Sequence, residues 1–329
     1  MIQKLMKMAV IISLAVYIAA PAVAKDKGIT IGFANAGMGD SWREFLLAHF
    51  KAEVARHPEI IKSYITNANE KPEKQIADIE DLLTKGVDIL VIYPTVGEAI
   101  IPAIEEAYEA GVKVIVFGGE LETDYFETLV TQSLVEFGEN QAEWLAKELN
   151  YKGNIVMFSG VAGNTTAEDR LKGARAVFAK YPQIKILDHQ YTDWSIPRSK
   201  TIMETMIQAY PKIDGIWADS GLMSWPALQA LKEAGRPLVP TTGDQLNGYA
   251  KFLVDNNLRG YIFPMSTTLS GEAVKAGMKA VKGGKLPKRT FLKITGYGPD
   301  EIKSLVRPKL SDFWWIGDDN MPEEFLPVF

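Results

Sequence analysis

Asn35, Asp40, Ser41, Trp42, Arg43, Thr95, Glu120, Arg170, Trp194, Asp219, Ser220 and Asp244 are the residues of this sequence with side chains suited to recognising hydroxyl groups. They mix indole faces with carboxylates, guanidinium groups, hydroxyls and an amide. A hydroxyl both donates and accepts, so an Asp can accept two hydroxyl protons while an Arg fork donates to ring or hydroxyl oxygens. Planar aromatic rings cover C–H faces. A buried, fully paired network of this kind also rejects an analogue lacking one hydroxyl, because a polar group of the site is then left unsatisfied. The combination suits a small polyhydroxylated ligand.

Other chemistries lack their usual residues. Gly37-Met38-Gly39 follows the first apolar run like the start of a dinucleotide fingerprint, but Trp42 holds the place of the third glycine, and Asn67 rather than an acid ends the next run. Gly283-Gly284-Lys285 is followed by Leu286 instead of Ser or Thr, so it reads as a helix-ending turn and not a phosphate loop. The three histidines, His49, His57 and His189, form no helical pair for zinc, and Ser159 lies outside a G-x-S-x-G elbow. Asp318-Asp319-Asn320 lacks calcium-loop spacing and reads as a solvated acidic turn. Neither a metal nor a cofactor is expected. A net charge of −5 gives no basic surface for neutralising phosphates, which argues against DNA or RNA as a partner.

The elements that must carry these residues are legible from periodicity. With 329 residues, 47% hydrophobic and 23% charged, the chain has the size and balance of two globular halves. Short apolar runs at 29–33, 63–66, 89–93 and 113–117 alternate with longer amphipathic stretches, the pattern of parallel strands joined by crossover helices. After a connector at 129–133 the rhythm restarts, and strands are expected at 154–158, 185–189, 213–218 and 238–242. Ser41-Trp42-Arg43-Glu44 and Thr95-Val96-Gly97-Glu98 read as capping boxes, and further helices are expected to begin near Thr166, Pro197, Met223 and Asn247. The fold class is therefore α/β, with two doubly wound parallel-sheet lobes. In such sheets a ligand sits outside the carboxyl ends of the strands, and every candidate residue falls in a strand-end loop.

Residues 1–24 stand apart. Lys4 and Lys7 precede an uncharged, mostly apolar run of 12 residues at 9–20, and Ala22-Val23-Ala24 has the small-x-small form that a signal peptidase reads. The run is shorter than the roughly 20 residues that span a bilayer. Export with cleavage after Ala24 is expected, and loss of the two lysines takes the charge from −5 to −7. With no Cys in the chain, neither a lipid-bearing cysteine nor a disulfide is expected.

In order and spacing, Ser41-Trp42-Arg43, Ala167-Glu168-Asp169-Arg170-Leu171-Lys172-Gly173, Asp214-Gly215-Ile216-Trp217-Ala218-Asp219 and Gly243-Asp244 resemble the periplasmic sugar-binding proteins of the ribose and galactofuranose type. The resemblance runs to about Ile294. It implies the type I periplasmic binding protein fold, with lobes at 25–132 plus 265–294 and at 133–264 plus 295–329. Three crossing strands near Gln132, Pro264 and Ile294 would join them. It further implies a monomer in the periplasm that captures a monosaccharide or alditol and hands it to the permease of an ABC importer. Arg170 matches the family's arginine for sugar oxygens, Asp244 its aspartate, and Trp194 an aromatic that packs on the ring; Trp42 and Arg43 match the first-loop positions of the galactofuranose branch. The ribose-type Asp-Arg pair is replaced by Gly118-Gly119, and Ser220, preceded by Asp219, stands for the family's Asn. An amino sugar, nucleoside or other non-sugar solute is the alternative ligand. A secreted carbohydrate-active enzyme using Asp219 and Asp244 as a carboxylate pair is the alternative class. A LacI-like repressor is excluded, since an apolar signal stands where a basic headpiece would be. Trp225, Trp314 and Trp315 read as packing residues, and the tail at 303–329 has no assigned role.

Overall fold

Continuous apolar runs such as Ile89–Tyr93, buried over its first four residues, need helices on both faces of the sheet that contains them. The computed structural model, which describes residues 28–327 apart from Val96, Glu120 and 318–320, meets that need twice. The expected signal segment 1–24, the candidate Glu120 and the turn Asp318-Asp319-Asn320 lie outside the described residues.

In chain order the first half contains β1 (Ile29–Asn35), α1 (Ser41–Ala55), β2 (Ile60–Asn67), α2 (Pro72–Thr84), β3 (Ile89–Tyr93), α3 (Ile101–Glu109), β4 (Lys113–Phe117) and β5 (Thr128–Thr131). There follow α4 (Leu134–Glu148), β6 (Gly153–Ser159), α5 (Thr165–Phe178), β7 (Ile184–Tyr191), α6 (Ile196–Ala209), β8 (Gly215–Ala218), α7 (Gly221–Glu233), β9 (Thr241–Gly243), α8 (Asn247–Asp255) and β10 (Gly260–Ile262). The chain ends with α9 (Leu269–Val281), β11 (Arg289–Phe291) and α10 (Pro299–Leu305). One parallel sheet has the order β11-β5-β4-β3-β1-β2, the other β10-β9-β8-β6-β7.

Side-chain alternation divides each sheet between two cores. In the first, Ile31, Phe33, Ile89, Val91, Ile115 and Phe117 pack with residues of α1 and α9, while Leu90, Ile92, Val114 and Val116 point the other way onto α2 and α3. In the second, Val156, Phe158 and Ile216 face α6, α7 and α8, and Ile155, Met157 and Trp217 face α4 and α5. The pair α4 and α5 meets backbone to backbone. A Cβ at Gly138 would stand 1.8 Å from the Arg170 carbonyl oxygen, and one at Gly173 would stand 2.1 Å from that of Val135. Only glycine permits that approach, and it fixes the turn of α5 that presents Arg170.

The chain passes between the sheets at 132–133, 263–268 and 292–296. Two glutamines grip the middle crossing like ladder partners. Gln132 donates to Pro264 O at 2.9 Å and accepts from Ser266 N–H at 3.1 Å; Gln245 donates to Met265 O at 3.0 Å and accepts from its N–H at 2.9 Å.

Local expectations needed correction in places. Ser41 does not cap α1; Asp40 does, its carboxylate accepting the Arg43 N–H at 2.8 Å, since Asp is as good a cap as Ser and the Ser41 hydroxyl is engaged elsewhere. Thr95 caps no helix either, because a short 3₁₀ turn at Gly97–Ile100 intervenes before α3. The segment expected as a connector at 129–133 contains β5, a four-residue strand, fully buried and paired to β4 and β11, too short to show periodicity. The run at 238–242 becomes strand only from Thr241.

Candidate functional site

A cavity of about 220 Å³ lies where the carboxyl ends of the two sheets face each other. Asp40, Trp42, Arg43 and Tyr93 line it from the first lobe; Asn164, Thr166, Arg170, Asp193, Trp194, Ser220, Leu222 and Asp244 line it from the second; Met265 and Trp315 complete it.

In the second lobe, Arg170 on α5 is only 3% exposed. Its guanidinium lies 4.0 Å over the Phe137 ring of α4, and Nη1 donates to Asp219 O at 3.1 Å. Asp219, just after β8, is fully buried and lies outside the cavity lining. Its carboxylate accepts from Trp194 Nε1 at 2.8 Å and from Gly160 N–H at 3.2 Å, and stands 3.7 Å from Arg170 Nη1. Trp194 lies flat over Gly160, where a Cβ would stand 2.0 Å from the indole. Asp193 and Trp194 both hold left-handed backbone (φ 56° and 51°), a conformation costly for side-chain-bearing residues and concentrated at functional sites. Asp244, after β9, accepts from the Gly221 N–H at 2.7 Å at the start of α7. Burial pushes its carboxyl up to about 7, against the pull of Arg170, Gly221 and Ser220. Burial raises Asp219 too, opposed by Arg170, Trp194 and Gly160.

In the first lobe, α1 places Trp42 and Arg43. Trp42 Nε1 donates to Met265 O at 3.0 Å, tying the indole to the middle crossing. Arg43 is held between Asp40 and Glu70, the latter at 2.7 Å. Tyr93, at the end of β3, stacks on Phe117 at 5.3 Å and tilts against Trp42 at 5.7 Å. It also explains Gly118: a Cβ there would stand 2.6 Å from the Tyr93 ring, at a φ of +86° that favours glycine. The aromatic takes the room that larger residues after β4 would need.

Asp40, Trp42, Arg43, Arg170, Trp194, Ser220 and Asp244 thus share one cavity. Asn35, Ser41, Thr95 and Asp219 do not reach its lining. Asn35 is fully buried and donates to Gly37 O at 2.8 Å, shaping the turn after β1. The Thr95 N–H donates to Gln75 Oε1 at 2.8 Å, and the Ser41 hydroxyl accepts from Trp315 Nε1 at 2.8 Å. The residues that sequence reasoning passed over are Tyr93, which ends an apolar strand and reads as core, Asn164 and Asp193 in strand-end loops, Thr166 and Leu222 in the first turns of α5 and α7, and Met265 at a crossing; Trp315, read as a packing residue, also lines the cavity. Two consecutive indoles in a polar tail were the one signal for the last.

Ser159 and His189 form a hydroxyl–imidazole pair outside the cavity lining. Arg175 donates to His189 Nδ1 at 3.2 Å, which leaves the imidazole proton on Nε2, aimed at Ser159 Oγ 2.9 Å away. That tautomer cannot take a proton from the serine. Burial and Arg175 also hold the imidazole below its usual pKa.

Residues 31–285 match the periplasmic binding protein domain, and the chain belongs to that family. Among its relatives, the galactofuranose-binding protein YtfQ of Escherichia coli (strain K12) is 28% identical over 294 residues, 85% of this chain and 91% of that one. The ribose import binding protein RbsB of Bacillus subtilis (strain 168) is 27% identical over 228 residues, 69% of this chain and 74% of its own. Among solved structures, the binding protein of the arabinose ABC transporter from Shewanella sp. ANA-3, bound to α- and β-L-arabinofuranose, superposes with a TM-score of 0.76 at 26% identity, covering 84% of this chain and 93% of that one.

Proposed function

We propose that the protein captures an uncharged monosaccharide or alditol between its lobes and delivers it to an ABC importer. One observation carries this reading: Arg43 and Arg170 line one cavity from opposite lobes, with the Trp42 and Trp194 indoles and the Asp244 carboxylate in the same lining. Guanidinium groups donate to acceptor oxygens, and Asp244 in the same lining supplies the complementary acceptor for a hydroxyl proton. Of the lining carboxylates, Asp40 pairs with Arg43 and Asp193 with Arg198, while Asp244 lies in the field of Arg170. A volume of about 220 Å³ falls below the roughly 300–1,000 Å³ of pockets for drug-sized ligands. Relatives named for galactofuranose and ribose, and one bound to arabinofuranose, support a sugar of five or six carbons.

Binding without turnover is the reading that the same geometry supports. Asp219, locked under Trp194 and Arg170, cannot serve beside Asp244 as a glycosidase carboxylate pair, and no nucleic-acid partner suits the net charge. The protein works as a monomer in the periplasm. Ligand contacts from both lobes favour the closed arrangement, which the importer reads as the loaded state.

A thermal-shift screen of pentoses, hexoses, alditols, amino sugars and nucleosides tests the reading, because a ligand selective for the folded state stabilises it by about 2.7 kcal/mol at a hundredfold excess over its Kd. Stabilisation by a neutral sugar or alditol is expected; stabilisation only by a nucleoside or amino sugar overturns it. For export, mass spectrometry of the native protein is expected to show a chain beginning at Lys25, and retention of Met1 would refute cleavage.

A further inference from the structure

Beyond residue 285, where the family match ends, the chain returns to the cleft. Its path is fixed by the loop that follows Asp244. Asn247 Nδ2 donates to Arg307 O and Ser311 O, each at 2.9 Å, and the Asn247 N–H donates to Trp314 O at 2.8 Å. Leu246 and Trp315 form an antiparallel bridge, and Ile316 N–H donates to Gln245 O at 3.0 Å. From this base in the second lobe the two indoles reach α1 of the first. Trp314 meets Phe45 edge to face at 4.9 Å, and Trp315 Nε1 donates to Ser41 Oγ at 2.8 Å. Trp315 is 1% exposed, yet its side chain lines the cavity alongside Trp42 and Asp244.

We propose that segment 311–316 is a wall of the binding site and a strap between the lobes, with Trp315 limiting ligand size and its bond to Ser41 coupling the tail to the helix that carries Trp42 and Arg43. The size limit rests on the sugar-binding reading; the strap does not. A buried indole fills a volume that no smaller side chain replaces, so truncation enlarges the cavity on the side bounded by the tail. The N–H to hydroxyl bond is buried as well, and losing the acceptor leaves an unsatisfied donor exactly where the lobes meet unless the tail moves. Ser41, adjacent to the cavity residues but outside the lining, is on this account a positioning residue for Trp315.

The test uses the full chain and the variants Ser41→Ala, Trp315→Phe and Trp315→Ala, each checked for a native circular dichroism spectrum. Without ligand, small-angle scattering is expected to give a larger radius of gyration for Ser41→Ala and Trp315→Phe than for the wild type; identical scattering overturns the strap. With ligand, calorimetric titration of L-arabinose, D-galactose and their methyl glycosides is expected to show about tenfold weaker binding of the free sugars to Trp315→Ala, the scale for truncating a buried aromatic contact. The affinity ratio of glycoside to free sugar is expected to rise, and an unchanged ratio overturns the size limit. Should none of these sugars bind the wild type, the sugar-binding reading fails, and the ligand-free scattering still decides the strap.

Discussion

Arg170→Ala is expected to weaken sugar binding by about 2–5 kcal/mol, the range for truncating one partner of a buried, charged hydrogen bond. Several roles end at once. The guanidinium lies over Phe137, donates to the Asp219 carbonyl and belongs to the cavity lining. It is also the principal positive charge near Asp219 and Asp244, whose burial already raises their pKa values. Without it both pKa values rise further, and Asp244 shifts from acceptor toward its protonated, donating form. Arg170→Lys is expected to recover little: an ammonium keeps the charge but lacks the planar fork that serves Asp219 and the cavity together. Calorimetry on variants with native circular dichroism spectra decides the matter. Unchanged affinity in a folded Arg170→Ala protein would remove Arg170 from the site.

Much of this site was legible because parallel sheets place ligands at strand ends, and the apolar runs reveal where strands end. Trp42, Arg43, Arg170, Trp194, Ser220 and Asp244 follow from that rule together with side-chain type. The rule selects loops, however, and is blind to direction. Asp219 sits on the same kind of loop as Asp244, yet its carboxylate turns back to meet the Trp194 indole and the Gly160 N–H. Asn35 turns inward to the Gly37 carbonyl in the same way. Tyr93 was hidden for the opposite reason: as the last residue of an apolar strand it carries no polar pattern, and only the three-dimensional structure places it in the cavity lining, stacked on Phe117 and tilted against Trp42. Trp315 shows a third limit. Its place depends on pairing with residues 245 and 246, a long-range contact that local periodicity does not encode. In the fold, the longer strands were readable, whereas β5 took its identity from partners on both sides.

Asp244 makes binding depend on pH. Its carboxyl is pushed up to about 7 by burial, from an ordinary value of 3.8, with Arg170, Gly221 and Ser220 pulling downward and Asp219 pushing upward. The unfolded chain ionises first, so this group costs no stability below the ordinary value and an increasing amount as pH rises toward 7, beyond which the cost is constant. Binding runs the other way. A sugar hydroxyl donates more strongly to the ionised form of Asp244, so ligand lowers the pKa and binding near neutrality releases a proton. Affinity is expected to fall about tenfold per pH unit below 7 and to level off above it. Tyr249, also near Asp244, is held neutral by burial well above this range and does not contribute to the profile. Asp244→Asn keeps an oxygen for the Gly221 N–H but cannot ionise; it is expected to bind weakly and to flatten the profile. Calorimetry at pH 7 in two buffers of different ionisation enthalpy measures the proton directly. Affinity that is constant from acid to neutral pH, with no proton released, would mean that the ligand takes no hydrogen bond to ionised Asp244, and that Arg170 faces the sugar without its acidic partner.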